Sequence, residues 1–273
     1  MTEESHRRLS THQLACLQAM GIDVWLPRGV SADAPRPGGD VEQATVPGVP
    51  AAGGPVSGLG SDSVQPAAQT SDAATGADSA DISWADWDAL RGAVMHCTRC
   101  PLHETRSQGV FGVGDTRARL MVIGEAPGAD EDRLGEPFVG RAGKLLDAML
   151  HAIGEARGDG VYITNILKSR PPNNRDPRPE EVAACEPFLR RQIELIEPDV
   201  ILAVGRVAAQ NLLKTDQPLG RLRGRWHSYG PRQTPVWVTY HPAYLLRKPV
   251  DKRKAWQDLK TVRGRIAEAH GKE

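Results

Sequence analysis

"VYITNILKSRPPNNRDPRPEEVAAC", residues 161–185, decides the fold. Its first seven residues are an apolar, β-branched run short enough to be a buried strand. Residues 168–177 are polar and rich in proline, so they form a loop rather than more strand. Proline, two glutamates and an apolar spacing then announce a helix, interrupted early by Pro187. A strand that leaves through a loop into a helix is half of a parallel crossover unit.

The same punctuation recurs along the chain. "RLMVIG" (119–124) precedes the helical "RAGKLLDAMLHAIG" (141–154), and "VILAVG" (200–205) runs straight into "RVAAQNLLK". "PVWVTYH" (235–241) is a fourth strand, and "DKRKAWQDLKTVRGRIAEAH" a closing helix. Ahead of them, "SWADWDALRGAVMHC" is an amphipathic helix with Ser83 as its N-cap. This alternation predicts a three-layer α/β/α domain around a four-stranded parallel sheet.

Composition divides the 273 residues further. Residues 31–80 hold 11 Ala, 8 Gly, 6 Pro and 6 Ser, no aromatic residue and one cation, Arg36. Such a stretch cannot offset its ordering entropy by burial, so it is expected to be a disordered linker, its ends on the order of 40 Å apart. The expected domains are a docking-like peptide (1–30), the linker (31–80) and the α/β domain (81–273). No run of 18 apolar residues exists and "MTEESHRRLSTHQ" has no apolar signal core, so no membrane association and a cytoplasmic location are expected. The net charge of zero hides an asymmetry. Residues 1–96 carry 5 Lys/Arg and 12 Asp/Glu, leaving 29 and 22 for the remainder, a balance of +7. A basic compact half suits a polyanion partner, as do many solvated surfaces.

Ligands of parallel sheets bind beyond the carboxyl ends of the strands. There this sequence gathers "GEAPGADEDRLGEPFVGRAG", the loop after Asn165, and "HPAYLLR". The first is glycine-rich but lacks dinucleotide spacing and a phosphate-binding lysine, and its acids would repel phosphate. A strand-end Asn alone is a turn residue, and a His-Pro alone is loop punctuation. Three such loops meeting at one crevice point instead to a built pocket.

These residues resemble the family 4 uracil-DNA glycosylases, through "CTRCPLHETRSQGVFGVGD", "GEAPGADEDRLGEPFVGRAGKLLDAML", "VYITNILKSRPPNNRDP" and "TYHPAYLLR". The resemblance covers roughly 160 residues. It implies a monomeric enzyme that flips uracil out of DNA and hydrolyses its N-glycosidic bond, leaving an abasic site. It implies that Phe138 stacks on the base, that Glu131 stands beside its C5 edge, and that His241 donates toward uracil O2 as charge develops. Asn165 can offer both a donor and an acceptor to the O4 and N3 edge. Glu125 and Ala126 line the loop floor; another branch of the superfamily carries an Asp at the Ala126 position. Asn174 matches a residue that positions the attacking water. Leu245 is expected as the wedge that fills the vacated stack, with Arg247 near phosphates.

Four cysteines are too few for a disulfide scaffold in a chain this long. Cys97 and Cys100 form a C-x-x-C that could serve redox, zinc or iron–sulfur chemistry. The resemblance implies a [4Fe–4S] cluster on four cysteines, of which Cys97, Cys100 and Cys185 are present and the remaining ligand falls on Ser169. Serine is a harder, poorer ligand than a thiolate. Separately, "LQAMGIDVWLPR" resembles the N-terminal peptide of the psi subunit of bacterial DNA polymerase III, which implies docking on the clamp loader through residues 9–28. The competing expectation is a catalytically weak adaptor that binds DNA and the clamp loader through a glycosylase fold. Glu131, Phe138, Asn165 and His241 favour the enzyme; Ser169 and the docking peptide favour the adaptor.

Overall fold

The computed structural model describes residues 86–270. The peptide 1–30, the linker 31–80 and Ser83 lie outside the described residues. Helix α1 (Trp87–Met95) starts instead on Asp86, whose carboxylate accepts from Ala89 N at 2.9 Å.

The buried runs form the sheet because each has apolar side chains on both faces. Strands β2 (Leu120–Gly124), β4 (Gly160–Asn165), β5 (Val200–Val204) and β7 (Thr234–Thr239) pair in parallel in the order β4-β2-β5-β7. Alternation is direct in β2, where Met121 and Ile123 join one apolar cluster and Leu120 and Val122 the other. The first cluster takes in α1, α4 (Pro179–Ile196) and α5 (Arg206–Leu213). The second takes in α3 (Arg141–Ala152), α7 (Pro242–Arg247) and α8 (Lys252–His270). Two short helices, α2 (Ala129–Leu134) and α6 (Leu219–Leu222), sit in the connections.

The expected four parallel strands are thus the centre of a larger, mixed sheet of seven. β1 (Val113–Gly114) lies antiparallel on β4, and β6 (His227–Tyr229) lies antiparallel on β7. β3 (Ala156–Arg157) pairs in parallel with β4. These additions are two or three residues long, too short for any hydrophobic period to show in sequence. The expected interruption of α4 is also corrected, because the helix runs on through Pro187. Val182, Cys185, Phe188, Leu189, Ile193 and Ile196 bury one continuous stripe across that point, and this packing outweighs the lost hydrogen bond.

The chain leaves β2 toward β4 on one side and leaves β5 toward β7 on the other. A crevice at the carboxyl ends follows from this switch of direction.

Candidate active site

A cavity of about 510 Å³ opens at that edge, lined by Glu125, Ala126, Glu131, Phe138, Asn165, Asn174, Asp176, His241 and Arg247, among others. A second cavity of about 360 Å³ lies at the amino ends of β5 and β7, among Glu197, Arg232, Arg265 and Glu268. Ligands of parallel sheets favour the first position.

Two loops are stitched together at the floor. Ile166 N donates to Gly124 O at 2.9 Å and Leu167 N to Glu125 O at 3.0 Å, which sets Glu125 beside Asn165. Asn165 closes β4 and is 2 % exposed. Its Oδ1 is buried without a hydrogen-bond partner. A buried acceptor left unpaired costs about 1–3 kcal/mol, so its place in a pocket points to a ligand that donates. The other such atom among the described residues, Trp237 Nε1, does not line this cavity.

Gly124 makes room for this arrangement. A Cβ there would stand 2.4 Å from Asn165 Oδ1 and 2.6 Å from Phe138 Cζ, closer than atoms pack. Beneath Asn165 lies Lys168, fully buried, which motif reasoning did not single out. Its Nζ donates to Asn165 O at 2.8 Å, Thr164 Oγ1 at 2.6 Å and Gln192 Oε1 at 2.6 Å. Burial pushes its ammonium down to about 7.

His241 caps α7, its Nδ1 accepting from Ala243 N at 3.2 Å. That contact leaves the ring proton on Nε2. Burial, then the charge of Arg247, holds the imidazole down to about 4, so it is neutral at pH 7. The rings of Phe138 and His241 have centroids 5.6 Å apart, tilted by 31°. Glu125 is half-buried, and its carboxyl rises to about 7, first through burial and then through Asp176. Asp176 was not foreseen; it pairs with Arg206 at 2.6 Å, a partner 30 residues away. Asn174 is at the rim, where Arg170 Nε donates to its Oδ1 at 2.8 Å. Glu131 accepts from Gly128 N, Val139 N and Gly140 N at 3.1, 3.0 and 3.2 Å, so its carboxylate builds the loop around Phe138 as well as lining the cavity.

Leu245, expected as the wedge, is turned inward. It is 1 % exposed and belongs to the apolar cluster that holds Leu145, Met149 and Leu259. Residues 242–247 form a helix, so successive side chains diverge by about 100° and the leucine turned outward is Leu246, 36 % exposed.

Cys185 is buried, its Sγ accepting from Lys168 N at 3.3 Å, and its thiol is raised to about 11 by burial. Cys97 and Cys100 are half-buried and close enough to act electrostatically on Cys185. Ser169 Oγ accepts from Arg106 Nη1 at 2.8 Å, while Arg106 Nη2 donates to Met95 O at 3.0 Å and Cys97 O at 2.9 Å. Three thiols and a hydroxyl bound to a guanidinium do not fit a four-thiolate cubane. Among the described residues, no three His, Cys, Asp or Glu converge on a single ion.

A sheet whose parallel core carries at its carboxyl edge an aromatic ring, an amide oxygen without a partner and a neutral imidazole suits a planar, hydrogen-bonding base. The uracil DNA glycosylase superfamily matches residues 111–260. A type-4 uracil-DNA glycosylase of Archaeoglobus fulgidus is 46% identical over 182 residues, 64% of this chain and 90% of the relative. One of Pyrobaculum aerophilum is 42% identical over 180 residues, 64% and 91% of the two. One of Thermotoga maritima is 48% identical over 158 residues, 56% and 80%. The chain belongs to the uracil DNA glycosylase superfamily, in its type-4 family.

Proposed function

We propose that this chain excises uracil from DNA by hydrolysis, as a DNA-repair enzyme. The unpaired, buried Oδ1 of Asn165 carries the reading. Uracil offers it the N3–H donor and presents O4 to the amide nitrogen; cytosine has an acceptor at N3 and a donor at C4, leaving both groups unsatisfied.

Phe138 supplies the stacking face for a base flipped from the duplex. As the C1′–N1 bond breaks, its electron pair leaves with uracil N1 and positive charge develops at C1′. His241 Nε2–H donates to O2, where the negative charge spreads; a neutral imidazole donates without protonating the leaving group. Water adds to C1′ and loses its proton to the carboxylate of Glu125, with Asn174 at the rim to orient it. No step runs through a metal, since three thiols and a hydroxyl held by Arg106 do not complete a four-thiolate cluster. Residues 9–28 supply a tether to the clamp loader of the replicative polymerase.

The test is excision from uracil-containing oligonucleotides, read as strand breaks after alkali. Wild-type protein should release uracil. Asn165→Ala should lose about 100-fold or more in rate, with cytosine remaining untouched by either. Intact strands after incubation with excess wild-type protein would leave the DNA-binding adaptor as the better reading.

A further inference from the structure

Phe138 holds a backbone conformation that its residue type disfavours. Its φ is +56°, in the left-handed region, which costs a non-glycine residue roughly 1–2 kcal/mol. Its neighbours impose it. Arg157 spans the two peptide groups that flank it, donating Nη1 to Pro137 O and Nη2 to Phe138 O, each at 2.9 Å. Just beyond, Glu131 accepts from Val139 N and Gly140 N. From below, α3 passes so close that a Cβ on Gly143 would stand 1.7 Å from Phe138 O.

Arg157 is itself aimed. Asp147 of α3 accepts from its Nε at 3.1 Å and pairs with its Nη2 at 3.0 Å. With its donors engaged on two carbonyls and a carboxylate, and its side chain 22% exposed, Arg157 is poorly placed to bind a phosphate. It lies on β3, which pairs with the start of β4, and β4 ends at Asn165. One strand pair therefore carries both the residue that meets the base edge and the guanidinium that holds the ring meeting its face.

We propose that Arg157 is a positioning residue for base excision. It locks Phe138 in its left-handed conformation, so that the ring stands beside Asn165 and His241 before the base arrives. This rests on the reading of the cavity as a uracil pocket. Arg157 does not line that cavity and acts only through Phe138.

The test is single-turnover excision from a uracil-containing single-stranded oligonucleotide, with thermal unfolding measured alongside. Arg157→Ala should slow excision by about 100-fold, as misplacing a reacting partner by an ångström does. Arg157→Lys should recover little, because one ammonium does not span two carbonyls as a planar fork does. Phe138→Ala should be slow as well, and the double variant no slower than Phe138→Ala alone. An Arg157→Ala protein that excises at the wild-type rate overturns the proposal. So does a loss that adds in full to that of Phe138→Ala, since this is what general destabilisation would produce. If Phe138→Ala itself keeps the wild-type rate, the reading of the pocket falls, and the proposal with it. Should Arg157→Ala fail to fold, Asp147→Asn, at a half-exposed carboxylate, should give a smaller loss with the same non-additivity; additive behaviour there is equally fatal.

Discussion

Asn165, at the end of β4, and Ser169, four residues on in the loop, meet opposite fates. The first is buried with an acceptor to spare, and the second is buried with its hydroxyl held by Arg106. Restoring the thiol at the second position should complete a soft, four-thiolate donor set. Anaerobically purified Ser169→Cys protein should therefore carry more iron and acid-labile sulfide per chain than wild type. A full complement of both in the wild type would show that three thiols suffice. Glu125 makes a second prediction, in pH. If Glu125 is the base it must be ionised, so single-turnover excision should rise with pH through about 7, and Glu125→Gln should abolish the rise. His241, at about 4, adds no inflection in that range. The stability effect has the opposite sign. A carboxyl whose folded pKa exceeds its unfolded one favours the fold below about 4.5 and loses that contribution as pH rises through about 7. Glu125→Gln should accordingly unfold at a higher temperature than wild type at pH 8.

At the scale of elements, the long ones were legible and the short ones were not. β2, β4, β5 and β7 show in sequence because burial on both faces demands unbroken apolar runs. β3 is two residues long and yet carries Arg157, so no periodicity could announce it. Motif order located Phe138, Asn165 and His241, whereas Arg157, Lys168, Asp176 and Arg106 matter through partners remote in sequence or through depth, neither of which a local pattern encodes. Helix α7 shows the same limit within six residues. Counting from His241 points to Leu245, but the helix turns that side chain into the core and leaves Leu246 outside. Leu245→Ala should cost about 2–5 kcal/mol of stability in denaturant unfolding. Leu246→Ala should leave stability within about 0.5 kcal/mol and slow excision from duplex more than from single-stranded substrate. Equal losses on both substrates would remove Leu246 from the role of wedge.

For the whole molecule, chain order and charge set the outline. A basic catalytic domain follows an acidic, glycine- and proline-rich stretch, and the peptide around Trp25 precedes both. If that peptide docks on the clamp loader, full-length protein should recover clamp loader in a pull-down and Trp25→Ala should not; equal recovery would refute the tether. By itself the sequence determined the alternation of strands and helices, the parallel core and the loops that form the crevice, because apolar period and turn chemistry are local properties written residue by residue. Only the tertiary structure decided which groups are spent and which are left for a ligand. Glu131 is engaged with backbone amides, Ser169 with a guanidinium and Leu245 with the core, while Asn165 keeps an open acceptor. Hydrogen-bond satisfaction and burial depend on neighbours brought together from distant parts of the chain, and those neighbours exist only once the sheet has closed.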